Sequence, residues 1–339
     1  MAAKNTITKS STHGPRHSDA GHPLTSKVPT MTDKQRTPLL LALLIAISFV
    51  AVPSQADAKV RIAATLGDLG AIAEQVGGDK AKVTVLAAPQ QDPHFVDAKP
   101  SYVAELSKAD IVVLNGMSLE VGWLPSLITG SRNPDLRQGE AGYFDASQFV
   151  VRRGVPKSKV DRSMGDVHPE GDPHYTFDPR QGARIAIALG NRLAKIDPDN
   201  ADYFESNAKR FAKECIRLAQ KWELKFGELD AEKRKVVVFH EAWSYIENWL
   251  DLEQVEAVEP KPGVPPNPKH VAKVLKTIKS TNARAILQME YYPDSATNLL
   301  AERTGAELVR LQGQARKGES YIERVDRLAQ KIYEAVSQS

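Results

Sequence analysis

Short apolar runs alternate along this chain with runs of helical spacing, and the alternation comes in two blocks with no strand between them. In the first block Val60–Thr65, Lys82–Ala87 and Asp110–Leu114 read as strands, and Leu69–Val76, Pro100–Leu106 and Glu120–Leu127 read as helices. In the second block strands at 236–239, 255–258, 283–289 and 306–311 alternate with helices at 242–250, 268–279, 295–303 and 319–336. Helical crossovers between successive strands make the strands parallel, and parallel sheets are covered by helices on both faces. Between the blocks lie a helical run at 179–194 and a longer one at 201–229. The second places Phe204, Ala208, Phe211, Cys215, Leu218, Trp222 and Phe226 at spacings of three and four. At 1.5 Å per residue it would span about 40 Å, more than one small lobe needs. The expected fold class is α/β, with two (β/α) lobes built on parallel sheets.

The N-terminal region is of another kind. Leu39–Val52 is almost wholly apolar, stands behind Lys34 and Arg36, and is followed by Ala56-Asp57-Ala58. An apolar core of about 14 residues falls short of the roughly 20 that a spanning helix needs, and together these features mark a cleaved export signal. Residues 1–58 are therefore read as leader and signal peptide, with cleavage near Ala58. His13, His17 and His22 precede the signal, and Met31 directly precedes a normal basic n-region, so no site is assigned there. Residues 59–339 hold 39 basic and 39 acidic side chains. That balance argues against nucleic acid as a partner, which would call for a clustered basic excess. The single cysteine, Cys215, cannot form an internal disulfide, and its helical setting reads as packed and apolar. No cysteine follows the apolar core to accept a lipid, so the expectation is a freely soluble periplasmic protein that is not a lipoprotein.

Three histidines close short runs at or near the ends of strands or loops: Asp92-Pro93-His94, Asp172-Pro173-His174 and Phe239-His240-Glu241. Binding groups in open α/β sheets favour the loops beyond the carboxyl ends of the strands. Neutral imidazole is the commonest protein ligand for zinc, and three imidazoles with a carboxylate or water fill a tetrahedral shell. The three are read as one metal site. His168, in the polar loop 152–173, reads as a solvated bystander, and His270 as a structural residue at a helix start. Trp243, Tyr245 and Trp249 read as core. A zinc-dependent hydrolase is the rival from another class, with Glu241 as base on a metal-bound water. The helical zinc-protease motif that starts at His240-Glu241 nevertheless fails, because Ser244 stands where its second histidine belongs.

The chain resembles the solute-binding proteins of bacterial ABC transporters for zinc or manganese, over nearly all of residues 59–339. The resemblance rests on DPHFVDAKPSYVAELSKADIVVLNGMSLEVGWL from Asp92, GDPHYTFDP from Gly171, VVVFHEAWSYI from Val236 and EPKPGVPPNPKHVAKVL from Glu259. It implies lobes at 59–200 and 230–339 joined by a long rigid linker helix at 201–229, one metal ion in the cleft and no catalysis. It also implies a monomer that hands its metal to the membrane permease of an ABC transporter. His94, His174 and His240 fall on the family's first three ligand positions. Members that prefer manganese usually carry Glu at the third, so His240 implies Zn²⁺ as the transported ion, with a manganese-specific member as the alternative; nitrogen-rich ligation points the same way. The aspartate that many members supply near the C-terminus is missing from Leu311–Glu319. Glu290, at the end of strand 283–289, is the first substitute as fourth ligand, Glu319 the second and water the third. Ligation by neutral imidazoles implies an affinity that falls as pH drops through about 6.5.

Overall fold

The strands assemble into two four-stranded parallel sheets with the same connectivity. The computed structural model describes residues 59–161 and 164–338, so the export signal and the histidines ahead of it lie outside the described residues. In the first sheet β1 (Val60–Ala64), β2 (Ala81–Val85), β3 (Ile111–Leu114) and β4 (Tyr143–Asp145) lie in the order β2-β1-β3-β4. In the second, β5 (Lys235–Val238), β6 (Glu253–Ala257), β7 (Ala285–Met289) and β8 (Glu307–Leu311) repeat it as β6-β5-β7-β8. Every pairing is parallel. In each sheet the second strand lies on one side of the first and the third on the other, and this reversal opens a crevice at the carboxyl ends. The sequence reading misses β4, because three residues are too few to show a period of two.

Strand β5 shows why these strands read as continuous apolar runs. Val236 and Val238 join a core that extends through both lobes, whereas Val237 joins a second core with Val258, Ile278 and Leu300 on the opposite face. Successive side chains of a strand point to opposite faces, and both faces are covered.

The helices, in chain order, are α1 (Gly67–Gly77), α2 (Pro100–Leu106), α3 (Leu124–Ser131), α4 (Pro179–Ile196), α5 (Ala201–Gly227), α6 (Ser244–Leu250), α7 (Pro268–Thr281), α8 (Ser295–Thr304) and α9 (Tyr321–Ser337). Most ends lie within two residues of the sequence reading. The exception is α3, expected from Glu120 and found from Leu124. Pro125 lacks an N–H and suits a first helical turn. Glu120 is then left to the preceding turn, where its carboxylate accepts the amides of Asn115 and Gly116 at 2.6 and 3.0 Å.

Helix α5 buries Phe204, Ala208, Phe211, Cys215, Leu218, Trp222 and Phe226, the stripe read from the sequence. Burial pushes the Cys215 thiol up, as fits a packed side chain. Along its length α5 packs on α1 and α4 and also on α6 and α9, so it touches helices of both α/β blocks. A second tie lies nearby: Asp68 of α1 and Arg324 of α9 form a fully buried ion pair at 3.4 Å. The Asp68 carboxylate also accepts the Ala315 amide at 2.8 Å, and its own amide donates to Gln314 at 3.1 Å. Burial raises the Asp68 carboxyl and Arg324 opposes that shift. Pulling such a pair apart would leave an uncompensated buried charge, which is costly.

Candidate metal centre

His94, His174 and His240 come together, each offering a ring nitrogen within 4.8 Å of the others'. His94 sits on the loop leaving β2, His240 two residues beyond β5, and His174 caps the short 3₁₀ turn Tyr175–Phe177 ahead of α4. All three are largely or wholly buried, and His174 and His240 line a cavity of about 370 Å³ to which His168, Asp172, Glu241 and Ser244 also contribute.

The two Asp-Pro-His runs hold their rings by the same pair of hydrogen bonds. Asp92 Oδ1 accepts the His94 amide at 3.0 Å and ring Nδ1 at 2.7 Å, and Asp172 Oδ1 accepts the His174 amide at 2.9 Å and ring Nδ1 at 2.7 Å. The proline between them keeps the chain out of helix, so one carboxylate oxygen can reach both donors. His240 is held differently: its Nδ1 meets Glu259 Oε2 at 2.7 Å, from 19 residues further on, at the end of the neighbouring β6. An ionised carboxylate only accepts, so each Nδ1 carries the proton and each Nε2 keeps its lone pair. His174 Nε2 is buried with no hydrogen-bond partner. Convergent imidazole lone pairs, each ring oriented by a carboxylate on its other nitrogen, form the arrangement that suits a divalent metal of the zinc type.

The electrostatics agree with those roles. Burial alone would raise Asp92 and Asp172, but hydrogen bonds from His94 and from His174 and Ser244 outweigh it and hold both carboxyls below their usual range. Burial lowers His174 against the pull of Asp172. Burial, with the neighbouring His94 and His174, brings His168 down to about 3. Burial thus disfavours the competing proton at His174 and at His168.

Neither acidic substitute joins the group. Glu290 is exposed and its carboxylate pairs with Arg316 at 3.0 Å. Glu319 is held in its own turn by Arg327, by Gln312 Nε2 at 2.6 Å and by the Arg316 amide at 2.9 Å. The residues after Glu290 present rings: Tyr292 lies 5.6 Å from the His240 ring and stacks on Phe239 at 4.7 Å. Glu290 as fourth ligand is thus corrected, since its carboxylate lies outside the histidine group and is taken up by a guanidinium. His168 is corrected in the other direction. It is half-buried, and its Nε2 lies 3.0 Å from Nε2 of His94.

His270 is structural, its ring bonded to the Ala257 carbonyl at 2.9 Å. Trp243, Tyr245 and Trp249 are buried. Ser244, which stands where the protease motif needs histidine, donates its hydroxyl to Asp172. Sequence reasoning misses the orienting carboxylates. The repeated Asp two residues before His was the available signal for Asp92 and Asp172, whereas nothing local pointed to Glu259.

Comparison with known proteins gives a consistent picture. The manganese ABC transporter substrate-binding lipoprotein PsaA of Streptococcus pneumoniae is 22% identical over 313 residues, covering 88% of this chain and 98% of PsaA. The zinc-binding lipoprotein AdcA of the same organism is 25% identical over 271 residues, covering 79% of this chain and 53% of AdcA. A crystal structure of ZnuA superposes with a TM-score of 0.69 at 26% identity, covering 82% of this chain and 99% of that one. The expectation that the protein is not a lipoprotein is overturned by these relatives, which are named as lipoproteins; an extracellular or periplasmic location fits. Residues 62–335 match the family model of the zinc-uptake complex component A, periplasmic, and the chain belongs to this ZnuA family of metal-binding substrate-binding proteins of ABC transporters.

Proposed function

We propose that the protein captures Zn²⁺ outside the cytoplasmic membrane and delivers it to the permease of an ABC transporter, with His94, His174 and His240 as metal ligands and no catalytic step. The observation that carries this reading is the meeting of three ring nitrogens within 4.8 Å, with His174 Nε2 buried and otherwise without a partner. An all-nitrogen set at the third position favours zinc, because manganese is better served by oxygen. A manganese-binding member is the second reading, favoured by the manganese named for PsaA. We read the protein as a monomer.

We read residues 59–200 and 230–339 as the lobes and α5 as their rigid link. Metal binding draws His94 and His174 of the first lobe toward His240 of the second. The continuous core and the buried Asp68–Arg324 tie restrict the response to small tilts and loop ordering, a difference by which a permease can tell loaded protein from empty. The test is elemental analysis of the purified, untagged protein after chelator stripping and exposure to equal zinc and manganese. About one retained zinc per chain, lost in His94→Ala, is expected. Preferential manganese would transfer the reading to the second metal, and retention of neither would overturn it.

A further inference from the structure

We infer that His168 is the fourth ligand of this site, closing an all-imidazole shell from a strap that crosses from one lobe to the other. The inference rests on the three-histidine reading above and extends it. His94 commits its Nδ1 proton to Asp92, so its Nε2 is an acceptor. The His168 ring is hydrogen-bonded to the Met117 carbonyl, which uses the one proton of a neutral imidazole and leaves its Nε2 an acceptor too. These two acceptors lie 3.0 Å apart, while His168 stands outside the group of ring nitrogens within 4.8 Å that His94, His174 and His240 form, so the strap must shift inward for all four to reach one ion. If His168 instead turned its proton toward His94, it would set an acceptor against the Met117 carbonyl. A metal ion ligated by both nitrogens removes the conflict. Two imidazole nitrogens, each about 2.0–2.1 Å from one tetrahedral zinc, stand roughly 3.3 Å apart.

The segment that bears His168 is built rather than merely adjacent. Met117 and Ser118 both hold the left-handed region, at φ 50° and 60°, a conformation that costs energy in residues other than glycine and recurs at functional sites. Buried Glu120 clamps that turn through the Asn115 and Gly116 amides. The turn presents the Met117 carbonyl to His168, and the Ser118 hydroxyl donates to the Glu170 carboxylate at 3.0 Å. On the other side the Asp166 amide donates to the Pro262 carbonyl at 3.0 Å, in the proline-rich loop of the second lobe. Gly165 passes so near that an added Cβ would stand 2.1 Å from the same oxygen. That loop is tied to the site as well, since the Gly263 amide donates at 2.9 Å to Glu259 Oε2, the oxygen that orients His240. The strap thus runs from the strained turn over the cavity to the support of His240. A fourth nitrogen in place of the missing aspartate would also sharpen discrimination against manganese.

X-ray absorption of the untagged protein loaded with one equivalent of Zn²⁺, compared with His168→Ala and His94→Ala, decides the point. Four imidazoles are expected in the unmodified protein and three in His168→Ala. In a chelator competition His168→Ala should bind zinc about tenfold or more weakly, with a narrower preference over Mn²⁺. Three imidazoles in the unmodified protein, with affinity unchanged by His168→Ala, would overturn the inference while sparing the three-histidine site. Zinc held equally well by His94→Ala would overturn both. The count in the unmodified protein stands even if a variant fails to fold.

Discussion

The two Asp-Pro-His turns and the His240 arm reach the same end by different means. His94 and His174 each carry their orienting carboxylate two residues upstream, within a turn that sets the ring as soon as the local backbone forms. His240 depends on Glu259, which reaches it only when β5 and β6 pair, and the same Glu259 oxygen anchors the proline-rich loop. One half of the site is therefore preformed by local geometry, and the other is assembled by the fold.

The largest effect should come from His240→Ala, which removes the only one of the three histidines contributed by the second sheet. Its zinc affinity should fall by more than the roughly 10–100-fold typical of losing an outer partner, as read by competition with a chromophoric chelator. Glu259→Ala should come next, near the upper end of that range, because it frees both the ring and the loop. Asp172→Asn should lie near the lower end, since an amide oxygen can still accept both His174 donors. If Asp172→Asn weakens binding more than Glu259→Ala, the contrast between local and assembled arms is wrong.

The pH profile sharpens the same contrast. His174 and His168 have folded-state pKa values lowered from an ordinary 6.5, His168 to about 3. The unfolded chain takes up those protons first as pH falls, so the metal-free fold loses stability progressively from about pH 6.5 toward pH 3. Thermal unfolding of metal-free protein between pH 7 and 4 should show this decline. A flat midpoint over that range would contradict the burial of these rings. The smallest effect belongs to Glu290→Ala. It removes a largely exposed ion pair with Arg316, so metal affinity should not change and stability should shift by no more than about 1 kcal/mol.

Much of this could be read from the chain because it is local. Strand and helix alternation follows from side-chain periodicity, and the buried stripe of α5 was visible at spacings of three and four. The three histidines stood out as endings of strand or loop segments. Elements too short for a period, such as β4, leave no such signal, and α3 starts later than its apolar spacing suggests because Pro125 occupies its first turn. Glu290 looked available because its rival Arg316 lies 26 residues away, across β8. His168 looked solvated because its surroundings come from Met117, His94 and a strap bonded to Pro262, none of them near it in sequence.

Residue chemistry and short-range geometry settled which imidazoles were available and how two of them were aimed, since an Asp two positions before a histidine can bond its amide and its ring without help from the fold. Packing decided the rest: which carboxylate steadies His240, which acidic side chains are withdrawn by arginines, and which loop histidine lies beside His94. Those outcomes depend on strand pairing and on competition between distant charges, and both arise only once the two sheets stand on their shared core.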